Sequence, residues 1–157
     1  MGPVWFVAGA FGGEITRECT VPRGKALFVP LLNTTFGAAV SDCEPTKPGV
    51  RCDVTQLRAM AAVAMDAVSI KASLDSVPLL NLQQYRAQSP VFSVTLPEDN
   101  ILGIPAGTYE PMVSDGYWLM LRPLTPGAHT LQWHGRITGG VFAGFEVQVT
   151  YSLTVGP

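Results

Sequence analysis

The final strand-like segment of the chain, residues 145–155, alternates apolar and polar side chains without a break. A period of two is that of a β-strand with one face buried and the other in water. Such strands are typical of antiparallel sheets, because parallel sheets are usually covered on both faces. We therefore predict a terminal strand whose inward-facing residues are Phe145, Val147, Val149, Tyr151, Leu153 and Val155.

Several other short segments have the composition of strands and are separated by turn residues. Apolar strands are predicted at 4–10, 25–32 and 90–97, and an alternating strand at 68–74 leads into a hairpin turn at Asp75-Ser76. Because proline cannot donate to a strand ladder, Pro30 is expected at a sheet edge or a strand end. Long loops are expected at 33–52 and 98–111.

One helix is predicted, at about 53–67. Asp53 suits the N-cap and Gln56 stands three residues later, which is the spacing of a capping box. One helix among many short strands, without a βαβ rhythm, predicts an all-β fold: an antiparallel β-sandwich or jelly roll, as a single domain over 1–157. Apolar residues that follow at helical spacing are Leu57, Met60, Ala61, Ala64 and Val68.

The low charge of the chain excludes some partners. Charged residues make up 14% of the sequence and the net charge is −2, so the many phosphate contacts that nucleic acid requires are not available. Apolar runs stay shorter than the roughly 18 residues of a membrane span. A weakly charged surface is common on extracellular β proteins and also favours self-association, so a glycan, a protein or a second copy of the chain remains as a partner.

Cys43 and Cys52 flank a turn-rich loop and are predicted to form a disulfide, which implies an oxidising compartment. Cys19 is then left as a buried free thiol or as the partner of a cysteine outside this chain. Asp42 and Glu44 lie beside the same loop and are candidate calcium ligands, with solvated loop acids as the alternative. No cofactor is expected.

The segment 114–135 contains two of the three tryptophans and both histidines. Two alternating strands around the turn 125–127 predict a β-hairpin. Trp133 shares its predicted face with Leu131 and is assigned to the core. If Trp118 instead faces water, it forms a candidate ligand surface, for which the residues are Trp118, Arg122, Asp115 and His134.

Catalytic arrangements are difficult to find in this chain. A serine hydrolase would need an elbow motif that is missing, and its base could only be His129 or His134. These histidines are five residues apart, and an odd spacing in a strand places them on opposite faces, so they are not expected to share a metal ion. No catalytic, metal or cofactor-binding residue is therefore assigned.

Three segments, GPVWFVAGAFGG, CTVPRGKALFVPLLN and SDGYWLMLRPLTPGAHTLQWHG, resemble a family of exported bacterial β-sandwich proteins of unknown function. The resemblance covers most of the chain. It implies an exported protein, extracellular or periplasmic, whose native N-terminal segment with a signal peptide and a cysteine is missing here. That cysteine would be a partner for Cys19.

These observations favour a non-enzymatic extracellular module that binds a ligand or serves a structural role. The low charge, the predicted disulfide and the lack of a catalytic motif support this hypothesis. The alternative is a secreted hydrolase or carbohydrate-active enzyme with an unrecognised site, which should show a deep pocket with convergent polar groups.

Overall fold

The computed structural model describes residues 2–37 and 52–156 of the chain. Within these ranges the strands form two five-stranded sheets, which are named sheet I and sheet II here. Sheet I contains β1 (Val4–Phe6), β3 (Ala26–Gly37), β6 (Arg86–Gln88), β7 (Phe92–Leu96) and β8 (Gly107–Leu121). Sheet II contains β2 (Gly13–Val21), β4 (Val68–Leu74), β5 (Val77–Pro78), β9 (Gly127–Ile137) and β10 (Glu146–Val155).

The predicted all-β, sandwich-like fold with one helix is confirmed, and its core lies between the two sheets. The alternating terminal segment forms β10, and its apolar residues from Val147 to Val155 are buried. Phe145 precedes the strand and is 39% exposed, so it does not belong to the core as predicted. Buried side chains from β3, β8, β9 and β10 form one continuous cluster, which includes Leu27, Val29, Leu31, Leu119, Leu131, Trp133 and Tyr151.

Most strand pairs are antiparallel, as predicted, but each sheet also contains one parallel pair. β10 pairs antiparallel with β9 and parallel with β2, and β1 pairs parallel with β3. The alternation of β10 could not reveal this, because a side-chain period reports which face is buried and not the direction of the neighbouring strand.

The N-terminal strands differ in length from the prediction. β1 ends at Phe6, so the expected strand over 4–10 is too long, and Phe6 is 73% exposed rather than buried. β3 continues to Gly37, and its residues from Asn33 onward pair with β8, so the loop predicted from 33 begins too early. The register of β3 shifts between Pro30 and Leu32, at a bulge that tolerates the missing N–H of proline.

The helix α1 (Val54–Met65) begins with the predicted capping box. The Gln56 N–H donates to Asp53 Oδ1 at 2.8 Å, and the Asp53 N–H donates to Gln56 Oε1 at 3.0 Å. The helix packs against β3 and β8, where Leu57 lies in a cluster with Cys52 and Val113. Tyr117 on β8 donates its hydroxyl to the Met65 carbonyl at 3.3 Å. In the described ranges no helix is long and apolar enough to span a membrane.

The predicted hairpin over 114–135 is wrong, although both of its strands exist. β8 belongs to sheet I and β9 to sheet II, so the connection through 122–126 crosses from one sheet to the other. The alternation within each strand was predicted correctly, since Tyr117, Leu119, Leu131 and Trp133 are all buried. A proline-glycine turn between two alternating strands fits a crossover as well as a hairpin, which explains the error.

The remaining loop predictions give mixed results. The Asp75-Ser76 hairpin is confirmed: both residues have positive φ and connect β4 to β5. The strand predicted at 90–97 is β7. The loop predicted over 98–111 ends earlier, because β8 already begins at Gly107.

The backbones of β3 and β8 approach each other closely at Gly116. A Cβ atom at Gly116 would lie 2.7 Å from the Leu32 carbonyl oxygen and 2.8 Å from Asn33 Cα, and neither backbone atom can move without disturbing the ladder. We expect Gly116→Ala to lower the free energy of unfolding by about 1–3 kcal/mol in urea denaturation. Gly156→Ala is the matched control, because its Cβ would meet nothing within 4 Å. An equal effect of both substitutions would contradict this packing.

Candidate functional site

The four residues of the predicted ligand surface do not come together. Trp118 lies on the outer face of sheet I, and Asp115, three residues earlier on β8, is 1% exposed on the inner face. Arg122 lies just beyond β8 and is exposed. His134 lies on the outer face of sheet II. Their separation follows from the strand period and from the crossover between β8 and β9.

Asp115 ties the helix to sheet I. Arg86 donates to both carboxylate oxygens of Asp115 at 3.0 Å, and Gln88 Nε2 donates to Oδ2 at 3.1 Å. The same guanidinium bonds to Asp66 at 2.8 Å and to the Ala62 carbonyl at 2.9 Å. The hydrogen bond to Asp115 is the main cause that raises the pKa of Arg86 above its ordinary value. Through Arg86 and Gln88, the carboxylate of Asp115 therefore connects β8 to β6 and to the end of α1.

His129 forms a close pair with Asp75 at one end of sheet II. Its Nδ1 lies 2.7 Å from Asp75 Oδ2, and its Nε2 lies 2.9 Å from the Thr125 carbonyl and 3.4 Å from Thr125 Oγ1. The Thr130 N–H donates to the other carboxylate oxygen of Asp75 at 2.8 Å. The pKa of His129 is raised, chiefly by the hydrogen bond to Asp75 and then by the Thr125 carbonyl.

The His129 pair resembles part of a hydrolytic triad but lacks a free base. A carboxylate and a carbonyl are both acceptors, so both contacts are hydrogen bonds only when the imidazole is protonated at both nitrogens. An imidazolium that donates twice has no lone pair with which to deprotonate the Thr125 hydroxyl. The arrangement instead joins the turn after β4 to the crossover before β9.

The two histidines lie on opposite faces of β9, as predicted. His129 lies on the same face of β9 as the buried Leu131 and Trp133. His134 lies on the outer face, with its Nε2 3.5 Å from Glu146 Oε2. In the part of the chain that the structure describes, no three His, Cys, Asp or Glu residues are grouped as metal ligands. The calcium candidates Asp42 and Glu44 lie outside the described residues.

The predicted Cys43–Cys52 disulfide also involves a residue outside the described ranges, since Cys43 lies in 38–51. Cys52 is 4% exposed and packs beside the helix. Cys19 is a free thiol on β2 and is half-buried against the core.

The outer face of sheet I carries a row of aromatic side chains. Phe6 contacts Phe28 edge to face, with ring centroids 5.6 Å apart, and Phe28 lies 5.7 Å from Trp118 with the ring planes 13° apart. The Trp118 indole N–H donates to the Ala87 carbonyl at 3.2 Å, which fixes the ring on the sheet. Met120 extends the apolar surface and is 51% exposed.

A groove of about 560 Å³ runs beside this row, and we call it the aromatic groove. None of its lining side chains carries a formal charge. Ser89 Oγ accepts from the Ser114 N–H at 2.9 Å, and Thr35 Oγ1 donates to Ser114 Oγ at 3.3 Å. These three hydroxyl-bearing residues line the groove together with the aromatic rings. The lining residues are Phe28, Thr35, Ala87, Gln88, Ser89, Phe92, Ser114 and Trp118.

Sequence reasoning identified Trp118 but missed Phe28, its neighbour in the groove. The sequence predicted an apolar strand over 25–32 but did not assign Phe28 to either face of that strand. The alternation around it was the available signal: Leu27 and Val29 are fully buried, which places Phe28 on the opposite face. Ser114 lies four residues before Trp118 on β8, so the same alternation places both on one face. Phe92 on β7 and Ser89 after β6 come from other segments, and no local pattern connects them to Trp118.

No protein-family model, curated protein or solved structure matches the chain.

The His129–Asp75 pair predicts a pH dependence of stability. The raised pKa of His129 contributes stability below its ordinary value of 6.5, and this contribution is lost as the pH rises through the folded value. The lowered pKa of Asp75 contributes above its ordinary value of 3.8 and is lost as the pH falls through the folded value. The pair therefore stabilises the fold most between these two ordinary values.

The unchanged protein should lose unfolding free energy, by no more than about 1 kcal/mol, as the pH rises above the ordinary His129 value of 6.5. We expect His129→Gln to abolish this pH dependence. Urea denaturation at each pH measures it. Asp75→Asn should flatten the same slope, because it removes the acceptor that raises the pKa of His129. A slope that survives in both variants would show that other groups cause it.

Proposed function

We propose that the protein is an exported, non-enzymatic β-sandwich module that binds a neutral glycan in the aromatic groove. The observation that carries the proposal is the row of Phe28 and Trp118 on the outer face of sheet I, beside the uncharged hydroxyl groups of the groove. The groove volume of about 560 Å³ is within the range of small-ligand sites.

The chemistry of the groove is complementary to a sugar ring. A pyranose has apolar C–H faces that pack on aromatic rings and hydroxyls that need hydrogen-bonding partners around its edge. The groove offers the rings of Phe28, Phe92 and Trp118 on its apolar side. Among the described residues Ser89 Oγ only accepts, so its hydroxyl hydrogen can donate to a ligand.

The charge of the groove favours a neutral ligand. Its lining residues carry no formal charge, so a charged ligand would lose hydration without gaining an ionic partner. The low charge of the whole chain is consistent with the same preference.

A binding role is favoured over hydrolysis. A glycosidase needs two carboxyl groups across the scissile bond, and the lining of the groove includes no carboxyl group. Asp115 is close in sequence to Trp118, but its oxygens accept from Arg86 and Gln88 on the other face of β8. The resemblance to exported proteins supports a location outside the cytoplasm.

Trp118→Ala tests the groove directly. We expect the unchanged protein to bind one or more members of a panel of neutral hexaoses in isothermal titration calorimetry, and Trp118→Ala to weaken that binding at least about tenfold. Phe11→Ala is the matched control, because Phe11 is 74% exposed and does not line the groove. Equal binding by Trp118→Ala and the unchanged protein would refute the groove as the site, and release of reducing ends would favour the hydrolase alternative.

The predicted Cys43–Cys52 disulfide belongs to the same proposal, because it requires an oxidising compartment. We expect alkylation of the unfolded, non-reduced protein to modify one of its three cysteines, and alkylation after reduction to modify all three. Intact mass spectrometry counts the modified thiols. Three modified cysteines without reduction, in protein taken from an oxidising compartment, would contradict the disulfide and weaken the case for export.

A further inference from the structure

The outer face of sheet II contains a second concave surface, of about 660 Å³, which we call the polar trough. Its floor consists of side chains in two cross-strand rows. Lys71, His134 and Gln148 are in register across β4, β9 and β10, and the next row contains Ser73, Gln132 and Thr150. The trough lies on the opposite sheet from the aromatic groove, so the two surfaces are independent.

One wall of the trough is formed by the segment that follows β5. The Leu79 N–H donates to the Ala72 carbonyl at 2.9 Å, which continues the β4–β5 pairing. Leu82 is 6% exposed and anchors the far end of the segment in the core. Between these two anchors Leu80 is 74% exposed and lines the trough beside Pro78. The wall is thus fixed before any ligand arrives.

The charges of the trough are unbalanced. Lys71 is the one lining residue with a full formal charge at neutral pH, and it has no ion-pair or hydrogen-bond partner among the described residues. No Asp or Glu lines the trough. Two carboxylates lie at its border: Glu14, in register with Gln148, accepts from it at 3.3 Å, and Glu146 lies 3.5 Å from His134.

We propose that the polar trough binds an acidic sugar, with the sugar carboxylate on Lys71. Gln132 Nε2 donates to Thr150 Oγ1 at 3.3 Å, and Gln148 Nε2 donates to Glu14. Each amide keeps a second N–H and its carbonyl oxygen, and Thr150 keeps its hydroxyl hydrogen, for the hydroxyls of a sugar ring. Leu80 and Pro78 give the apolar face of the ring a surface to contact. Two strand spacings place Lys71 and Gln148 about 10 Å apart, which is the length of a disaccharide.

An exposed lysine gives charge selectivity rather than high affinity. An ion pair in water contributes at most about 1 kcal/mol, which is about fivefold in a dissociation constant. We therefore expect the trough to bind a uronic acid disaccharide more tightly than its neutral counterpart, and this preference to weaken as salt is added.

The test is an NMR titration of the folded protein with α-1,4-digalacturonic acid, and with α-1,4-galactobiose as the neutral probe. We expect the acidic probe to shift the amide signals of Lys71, Leu80 and the side-chain amides of Gln132 and Gln148. Lys71→Gln should raise its dissociation constant about fivefold and Lys71→Arg should retain binding. Lys71 is exposed, so neither substitution should disturb the fold. The amide spectrum of each variant checks that the fold is intact.

Two controls separate this site from the aromatic groove and from general attraction of anions. Trp118→Ala should leave digalacturonic acid binding unchanged, even if it abolishes binding of neutral hexaoses. Lys25→Gln removes a lysine that bonds to the Gly2 carbonyl at 2.5 Å outside the trough, and it should also have no effect. The proposal is overturned if the acidic probe causes no shifts in the trough, if galactobiose binds as tightly, or if Lys71→Gln binds like the unchanged protein.

Discussion

The pairing of β8 with β3 is the constraint on which the rest of the structure depends. β8 contacts β3, β6, β7 and the helix, and its alternate residues supply two different environments. Asp115 points inward to the Arg86 guanidinium, while Trp118 points outward to the aromatic row. A slip of one residue would exchange these faces, placing a carboxylate on the groove and an indole under the helix. The tight contact at Gly116 and the bulge after Pro30 fix the register.

Local patterns in the sequence were sufficient for the elements whose determinants are local. The capping box at Asp53, the turn at Asp75-Ser76 and the alternation of β10 each depend on residues within a few positions of one another. The crossover after β8 and the parallel partner of β10 depend on contacts between distant segments. Both a hairpin and a crossover satisfy the pattern of 114–135, so only the packing of the sheets distinguishes them.

The same distinction explains what could be predicted about the sites. Trp118 was found because a tryptophan near the end of an alternating strand is conspicuous, but its assignment to a surface required knowledge of the buried face. Phe28 and Phe92 join it from β3 and from the start of β7, far away in the sequence. His134 was grouped with Trp118 only because the two strands were expected to pair. With the strands in separate sheets, His134 instead belongs to the polar trough.

The two outer faces of the sandwich differ in a way that the core does not require. Sheet II presents hydroxyls, amides and a few charges to water, and the polar trough lies among them. Sheet I exposes Phe6 and Met120 beside Trp118, although exposed apolar patches favour aggregation. The inward residues of both sheets already form a continuous core without them. The outer aromatic row therefore contributes mainly to what the surface can bind, and its side chains can be truncated with little loss of the packing that holds the sheets together.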